Sequence, residues 1–220
     1  MLLLYCMIED DVPIPCAGIA AVGGTELREV AKNGVRYFYS NWKPARQTVD
    51  GLKQEILEFH RVNQKILEHT TSIPFRFPTH VGSESELARL MDAQSGEYAQ
   101  ELQRLHGMVQ MKVAVEGSSH ANVTTSSGTE YLKQRQMANA PMDAAVEKIK
   151  RAAHGIASET KQIRRGNGTS IFFLVPRERM DDLQNALGGL ALDAKVTFSG
   201  PWPPSEFVNC YPELPQAKQS

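Results

Sequence analysis

A chain of 220 residues with 41% hydrophobic composition can bury a sizeable core, as one large domain or as two of about 100 residues each. Its formal net charge of −1 supplies no global field to draw in nucleic acid or an anionic membrane, which argues against both as partners. Three cysteines, Cys6, Cys16 and Cys210, form an odd set without C-x-x-C spacing, so they point to neither a disulfide framework nor a zinc site and read as ordinary cytosolic thiols.

The chain opens on an apolar run, residues 1–8, that lacks a basic flank. It is stopped by Glu9-Asp10-Asp11 far short of the roughly 20 residues needed to cross a bilayer. A buried first strand and a cytoplasmic protein are expected. Residues 16–22 and 35–40 are short β-like runs separated by Gly23-Gly24 and Asn33-Gly34, the second pair being a hairpin signal. From Leu52 the spacing turns helical, with Leu52, Ile56, Phe59 and Ile66 on one face and Lys53, Glu58, Arg61 and Lys65 elsewhere. His60 lies beside that face and reads as a packed or surface histidine, because spacing places no acid or nucleophile next to it.

Ser83-x-x-Glu86 is a capping box that opens a second helix presenting Leu87, Leu90, Met91, Tyr98, Leu102 and Leu105, with Gly96 a possible point of bending. Val109, Met111, Val113 and Val115 then alternate with Gln110, Lys112 and Glu116, the pattern of a half-buried strand. Ser127 to Glu130 repeats the capping box at the start of a helical stretch that Pro141 is expected to kink or divide. Met142, Ala145, Ile149, Ala152, Ile156 and Ile163 continue it as a small-residue packing seam, weakened at Gly155. The basic pair and glycines of Arg164-Arg165-Gly166-Asn167-Gly168 suit a helix C-terminus. A buried strand over 171–175, a short helix carrying Met180, Leu183, Leu187 and Leu190, and a last strand with Ala194, Val196 and Phe198 follow. The C-terminal half therefore reads β, long α, β, α, β, the order of a ferredoxin-like unit missing or replacing one edge strand.

Gly200-Pro201-Trp202-Pro203-Pro204-Ser205-Glu206-Phe207 closes the recognisable order. Three prolines in four positions bar a helix or a central strand, so Trp202 and Phe207 must anchor against something else. The segment reads as a strap on its own domain or as a polyproline docking peptide. Catalytic signatures are absent: there is no Walker A loop, nucleophile elbow, H-E-x-x-H or dinucleotide fingerprint, and the six histidines are scattered, so no catalytic, metal or cofactor residues are assigned. Arg76, inside the apolar Pro74-Phe75-Arg76-Phe77 segment, must reach water or find a carboxylate. It serves as a structural ion pair, a surface arginine, or a partner or anion contact. The loop over residues 117–128, rich in Ser and Thr ahead of a helix, is a weaker anion candidate.

Four segments in this order, Ile73-Pro74-Phe75-Arg76-Phe77-Pro78-Thr79-His80-Val81, Leu105-His106-Gly107-Met108-Val109-Gln110-Met111-Lys112-Val113, Gly128-Thr129-Glu130-Tyr131-Leu132-Lys133-Gln134-Arg135 and the Gly-Pro-Trp-Pro-Pro-x-x-Phe terminus, resemble the gas vesicle protein L/F family. Pro78 stands where that family usually has Gly, Gln110 where it often has Glu, and the segment before Gly51 matches poorly. The resemblance implies an α+β protein of two domains, an N-terminal α+β domain (1–105) and a modified ferredoxin-like domain with a Pro/Trp-rich terminal strap (106–220). It further implies a non-enzymatic accessory protein, cytoplasmic and vesicle-associated, that contacts the main shell protein and other accessory vesicle proteins. Arg76, Phe77, Trp202 and Phe207 are then the candidate partner contacts or structural anchors. The alternative is a ferredoxin-like small-ligand or regulatory module without a vesicle role.

Overall fold

The structure is a computed structural model describing residues 1–16, 18–44, 48–117 and 128–210, with side chains in the last range described from residue 140 onward. The chain divides into two compact units. The first joins Met1–Gly107 to the C-terminal segment from Trp202, and the second is Met108–Pro201.

In the first unit, β1 (Leu2–Glu9) is the spine of the sheet, and every residue from Leu2 to Ile8 is buried. It pairs antiparallel with β3 (Val35–Asn41), which pairs antiparallel with β2 (Arg28–Lys32). Its other edge takes the two-residue strands β4 (Ile73–Pro74) and β5 (His80–Val81). The β2–β3 turn is Asn33-Gly34, both at positive φ (55° and 79°), the geometry that favours an Asn-Gly pair in a tight hairpin. Where residues 16–22 are expected as a strand, the described residues among them show a single bridge, Ala20 to Glu26, and the start of a short 3-10 turn over Val22–Gly24. The strand that answers the hairpin signal is β2 instead.

The register of β1 slips between Leu4 and Cys6, a bulge that exchanges the two faces of the strand. Leu3 and Tyr5 before it, and Cys6 and Ile8 after it, consequently join one core with Phe38, Trp42 and the residues Phe59, Val62 and Ile66 of α1 (Val49–Leu67). α2 (Glu84–Arg104) contacts β1, β2 and β3, and Tyr37 on β3 meets its Ser95, Oη to Oγ at 3.5 Å. Helices therefore cover both faces of this sheet. Ser83 caps α2 by accepting from the Glu86 amide at 3.3 Å, while the Glu86 carboxylate accepts from the Gly82 amide at 2.7 Å. Gly96 does not interrupt α2. Buried Ser95 and Tyr98 hold the turns on either side of it. Leu52, expected on the core face of α1, is half exposed because the first turns of the helix lie beyond the core it serves further along.

The second unit runs β6 (Met108–Glu116), α3 (Gly128–Ala153), β7 (Glu159–Arg165), β8 (Gly168–Pro176), α4 (Met180–Gly188), β9 (Lys195–Trp202), with sheet order β7-β8-β6-β9. β6 and β8 pair antiparallel along their full length, from Met108 opposite Pro176 to Glu116 opposite Gly168. The edge strand missing or replaced in the expected order is present as β7. The helical seam does not continue to Ile163: α3 ends at Ala153, where Gly155 at φ 78° turns the chain and the Ile156 and Ala157 amides bond back to the Ala153 carbonyl. Arg164 and Arg165 consequently stand on a strand, and Gly166-Asn167 form the β7–β8 turn. Pro141 does not divide α3. The buried row Met142, Ala145, Val146 and Ile149 directly after it offsets the lost backbone bond.

The Pro/Trp-rich terminus departs from the expected domain assignment. It leaves the second unit at Trp202 and packs with the first, for reasons that lie in α2. No helix among the described residues is long and apolar enough to cross a membrane.

Candidate functional site

Arg76 is presented by a loop fixed on the edge of β1. The Phe75 amide donates to the Tyr5 carbonyl and the Leu4 amide to the Thr79 carbonyl, both at 2.9 Å, while the Thr79 amide closes the loop onto the Arg76 carbonyl at 2.7 Å. The two aromatic neighbours of Arg76 are drawn to opposite faces of the sheet. Phe75 is buried against Tyr37 on the α2 side, and Phe77 packs edge-on against Phe59 (5.3 Å between centroids) and Trp42 (6.1 Å) on the α1 side. Trp42 is itself tied to α1 by its indole N–H, which donates to Glu55 at 3.2 Å. Arg76 stands exposed between these two anchors.

The terminal segment is held by α2. After Pro203 and Pro204, both buried, a 3-10 turn over Ser205–Phe207 inserts Phe207, which is fully buried, and Val208. Arg104 on the last turn of α2 donates to the Phe207 carbonyl at 2.5 Å and to both oxygens of Glu101, at 2.6 and 3.1 Å. Glu101, only 8% exposed, also accepts from the Asn209 amide at 2.9 Å. The Arg104 hydrogen bonds, seconded by the Asn209 amide, hold the Glu101 carboxyl below the usual range against the opposing effect of burial. Burial and the nearby Glu101 and Glu97 push the Cys210 thiol up. Trp202, with Phe207 a candidate partner contact or anchor, is 38% exposed.

The four candidate residues are thus divided between two places. Arg76 and Phe77 lie at the β1 edge with Phe77 on the α1 side, whereas Phe207 is clamped by the C-terminal turn of α2. The Glu101–Arg104 clamp was not legible as a site. Its only sequence signal is an i, i+3 acid–base pair at a helix end, and its partners are 103 and 108 residues distant.

Among the described residues, histidines do not converge on carboxylates in one cleft. His60 stands beside Phe59, His80 beside Trp42, and His106 meets Glu9 at 2.5 Å. Glu9 also lines a recess of about 440 Å³ with Asp10, Asp11, Gly34, Ala99 and Gln103, where Asp10 is paired with Arg36 at 3.1 Å. Among the described residues no group of three or more His, Cys, Asp or Glu is placed to hold a metal ion. Residues 118–127 of the anion candidate, with Ser127 of the capping box, fall outside the described residues, as do the side chains of the Gly128–Arg135 motif.

The family model described as "Gas vesicle synthesis protein GvpL/GvpF" matches residues 1–209, so the segment before Gly51 lies inside the match despite lacking the quoted motifs. No individually curated protein matches the chain. Among solved structures, the gas vesicle protein GvpF from Anabaena sp. PCC7120 superposes with a TM-score of 0.75 at 14% identity, covering 96% of each chain. GvpF from Microcystis aeruginosa superposes at 0.72 and 12% identity, covering 95% of this chain and 99% of that one. At such identities the two structures share with this protein its mixed helix and antiparallel-sheet fold, and the family assignment rests on the sequence model. With motifs, fold and a match over residues 1–209 in agreement, this chain belongs to the GvpL/GvpF family of gas vesicle proteins.

Proposed function

We propose that this protein is a non-enzymatic assembly component of gas vesicles, acting in the cytoplasm and contacting the main shell protein and other accessory vesicle proteins through the Arg76 loop. Family membership supplies the vesicle context. The observation that carries the contact is the fixation of that loop: backbone bonds at both ends and an aromatic anchor on each sheet face present an exposed guanidinium that loses little further freedom on binding. Trp202, a large apolar side chain 38% exposed beside buried prolines, is the second candidate contact.

The second unit supports a ferredoxin-like reading, since its order β-α-β-β-α-β and its sheet order β7-β8-β6-β9 are those of a split βαβ fold. The test is capture of purified shell protein and accessory vesicle proteins by the wild type and by Arg76→Glu. Specific capture that the variant loses while its melting temperature is unchanged is the expected result. Capture unaffected by Arg76→Glu would remove the loop from the interface, and no capture of any vesicle component would overturn the assembly role.

A further inference from the structure

We propose that this protein self-associates through β7, two copies pairing antiparallel about a two-fold axis at Gln162 so that their sheets run on as one. β7 stands at the end of the order β7-β8-β6-β9, and every residue along it except Ile163 is exposed. Its hairpin with β8 fixes which backbone groups face outward. Arg165 and Gly168 flank the turn Gly166-Asn167, with Gly166 at φ 57°, and close the hairpin as a hydrogen-bonded pair. Pairing alternates from there, which turns the N–H and C=O groups of Arg164, Gln162 and Thr160 away from β8. Such an edge is a template for another strand unless its side chains forbid the approach.

The side chains name the occupant. Glu159, Lys161, Ile163 and Arg165 share one face of the sheet, and Thr160, Gln162 and Arg164 share the other, where Arg164 already meets Asp143 of α3 at 3.4 Å. When a second β7 is laid antiparallel with Gln162 opposite Gln162, Glu159 of each copy falls opposite Arg165 of the other. Lys161 falls opposite Ile163, along which its methylenes lie, and the outward backbone groups of Thr160, Gln162 and Arg164 meet their counterparts donor to acceptor. Neighbouring registers lose this match. An axis at Lys161 sets the two Lys161 ammoniums against each other, and an axis at Ile163 sets Lys161 opposite Arg165 on both sides. An acid at one end of the strand and a base at the other therefore make the edge self-complementary in a single register. The contact is isologous and closes at two copies. A strand pair of this length is small beside the roughly 1,600 Å² of a standard interface, so the association is weak and depends on concentration.

Sedimentation equilibrium of the full chain over roughly 10–500 µM tests this, with amide hydrogen exchange at both ends of the range. A monomer–dimer equilibrium is expected, with the outward amides of Thr160, Gln162 and Arg164 gaining protection as concentration rises. Arg165→Glu sets carboxylates face to face at both ends of the pair and should weaken association about tenfold, and adding Glu159→Arg should restore it by exchanging the charges. Gln162→Pro removes a central donor from the open edge while sparing the ladder to β8, and should leave a monomer with an unaltered melt. A wild type that stays monomeric throughout, a dimer indifferent to Arg165→Glu or Gln162→Pro, or a double charge exchange that folds without regaining the dimer would overturn the proposal. Protection of the β7 amides only by a different vesicle protein would overturn it in favour of a heterologous strand partner.

Discussion

Glu101 accepts three hydrogen bonds from two separate parts of the chain, and the charge that lets it do so is itself titratable. Its folded pKa lies below the ordinary carboxyl value of about 4.3, so its contribution to stability is complete above that value and disappears as the pH falls through the lower, folded one. Glu101→Gln should therefore lower stability at neutral pH by about 1–3 kcal/mol. Paired denaturation curves should show the gap between variant and wild type closing below about pH 4; a gap constant with pH would mean that the clamp does not depend on the carboxylate. Phe207→Ala removes a fully buried ring and should cost about 3–5 kcal/mol. Trp202→Ala, at a position 38% exposed, should cost about 1–2 kcal/mol. Equal losses in urea titrations would show that Trp202 also serves as an anchor. The terminal motif revealed that aromatic anchoring was needed, but not how deeply each of the two rings would be buried, since that depends on how far the 3-10 turn at Ser205–Phe207 carries the chain toward α2.

At the scale of elements, what could be read was whatever a single periodicity encodes. Strict alternation in Met108–Glu116, the Ser83 capping box and the Asn33-Gly34 turn all led to the observed β6, α2 and β2–β3 hairpin. β7 was hidden because Glu159–Arg165 is an edge strand exposed along almost its whole length, so no apolar face marks it, and Ile156 and Ile163 imitate the helical seam. The one telling residue was Gly155. Gly200 is a second backbone constraint: at φ 131°, a Cβ there would lie 2.8 Å from Met111 Sδ and 3.0 Å from the Gln110 carbonyl oxygen. Gly200→Ala should push β9 away from β6 and destabilise the second unit by about 2 kcal/mol. Faster hydrogen exchange along β6 would show it, and an unaltered exchange pattern would count against so tight an approach.

At the scale of the whole molecule, the division into units follows contacts rather than chain order. Domain assignment from the sequence kept the terminus with the strand it directly follows. Only the pairing of Glu101 and Arg104 with residues 207 and 209 shows where it belongs, and no local pattern carries so distant a contact. Truncation after Pro201 should accelerate exchange at the C-terminal turns of α2 while the β6–β8 ladder keeps its protection; uniform loosening of both units would show that the segment stabilises more than the first.

The return of the C-terminus to the first unit also sets an order of events on the ribosome. Residues 108–201 are all available to fold before the segment that completes the N-terminal unit has been synthesised. During that interval the end of α2 exposes the apolar seat of Phe207 beside a carboxylate and a guanidinium still lacking their backbone partners. A nascent chain stalled before Phe207 is thus open to capture by chaperones at its first-made half, and emergence of the segment from Trp202 to Asn209 is the step that closes it.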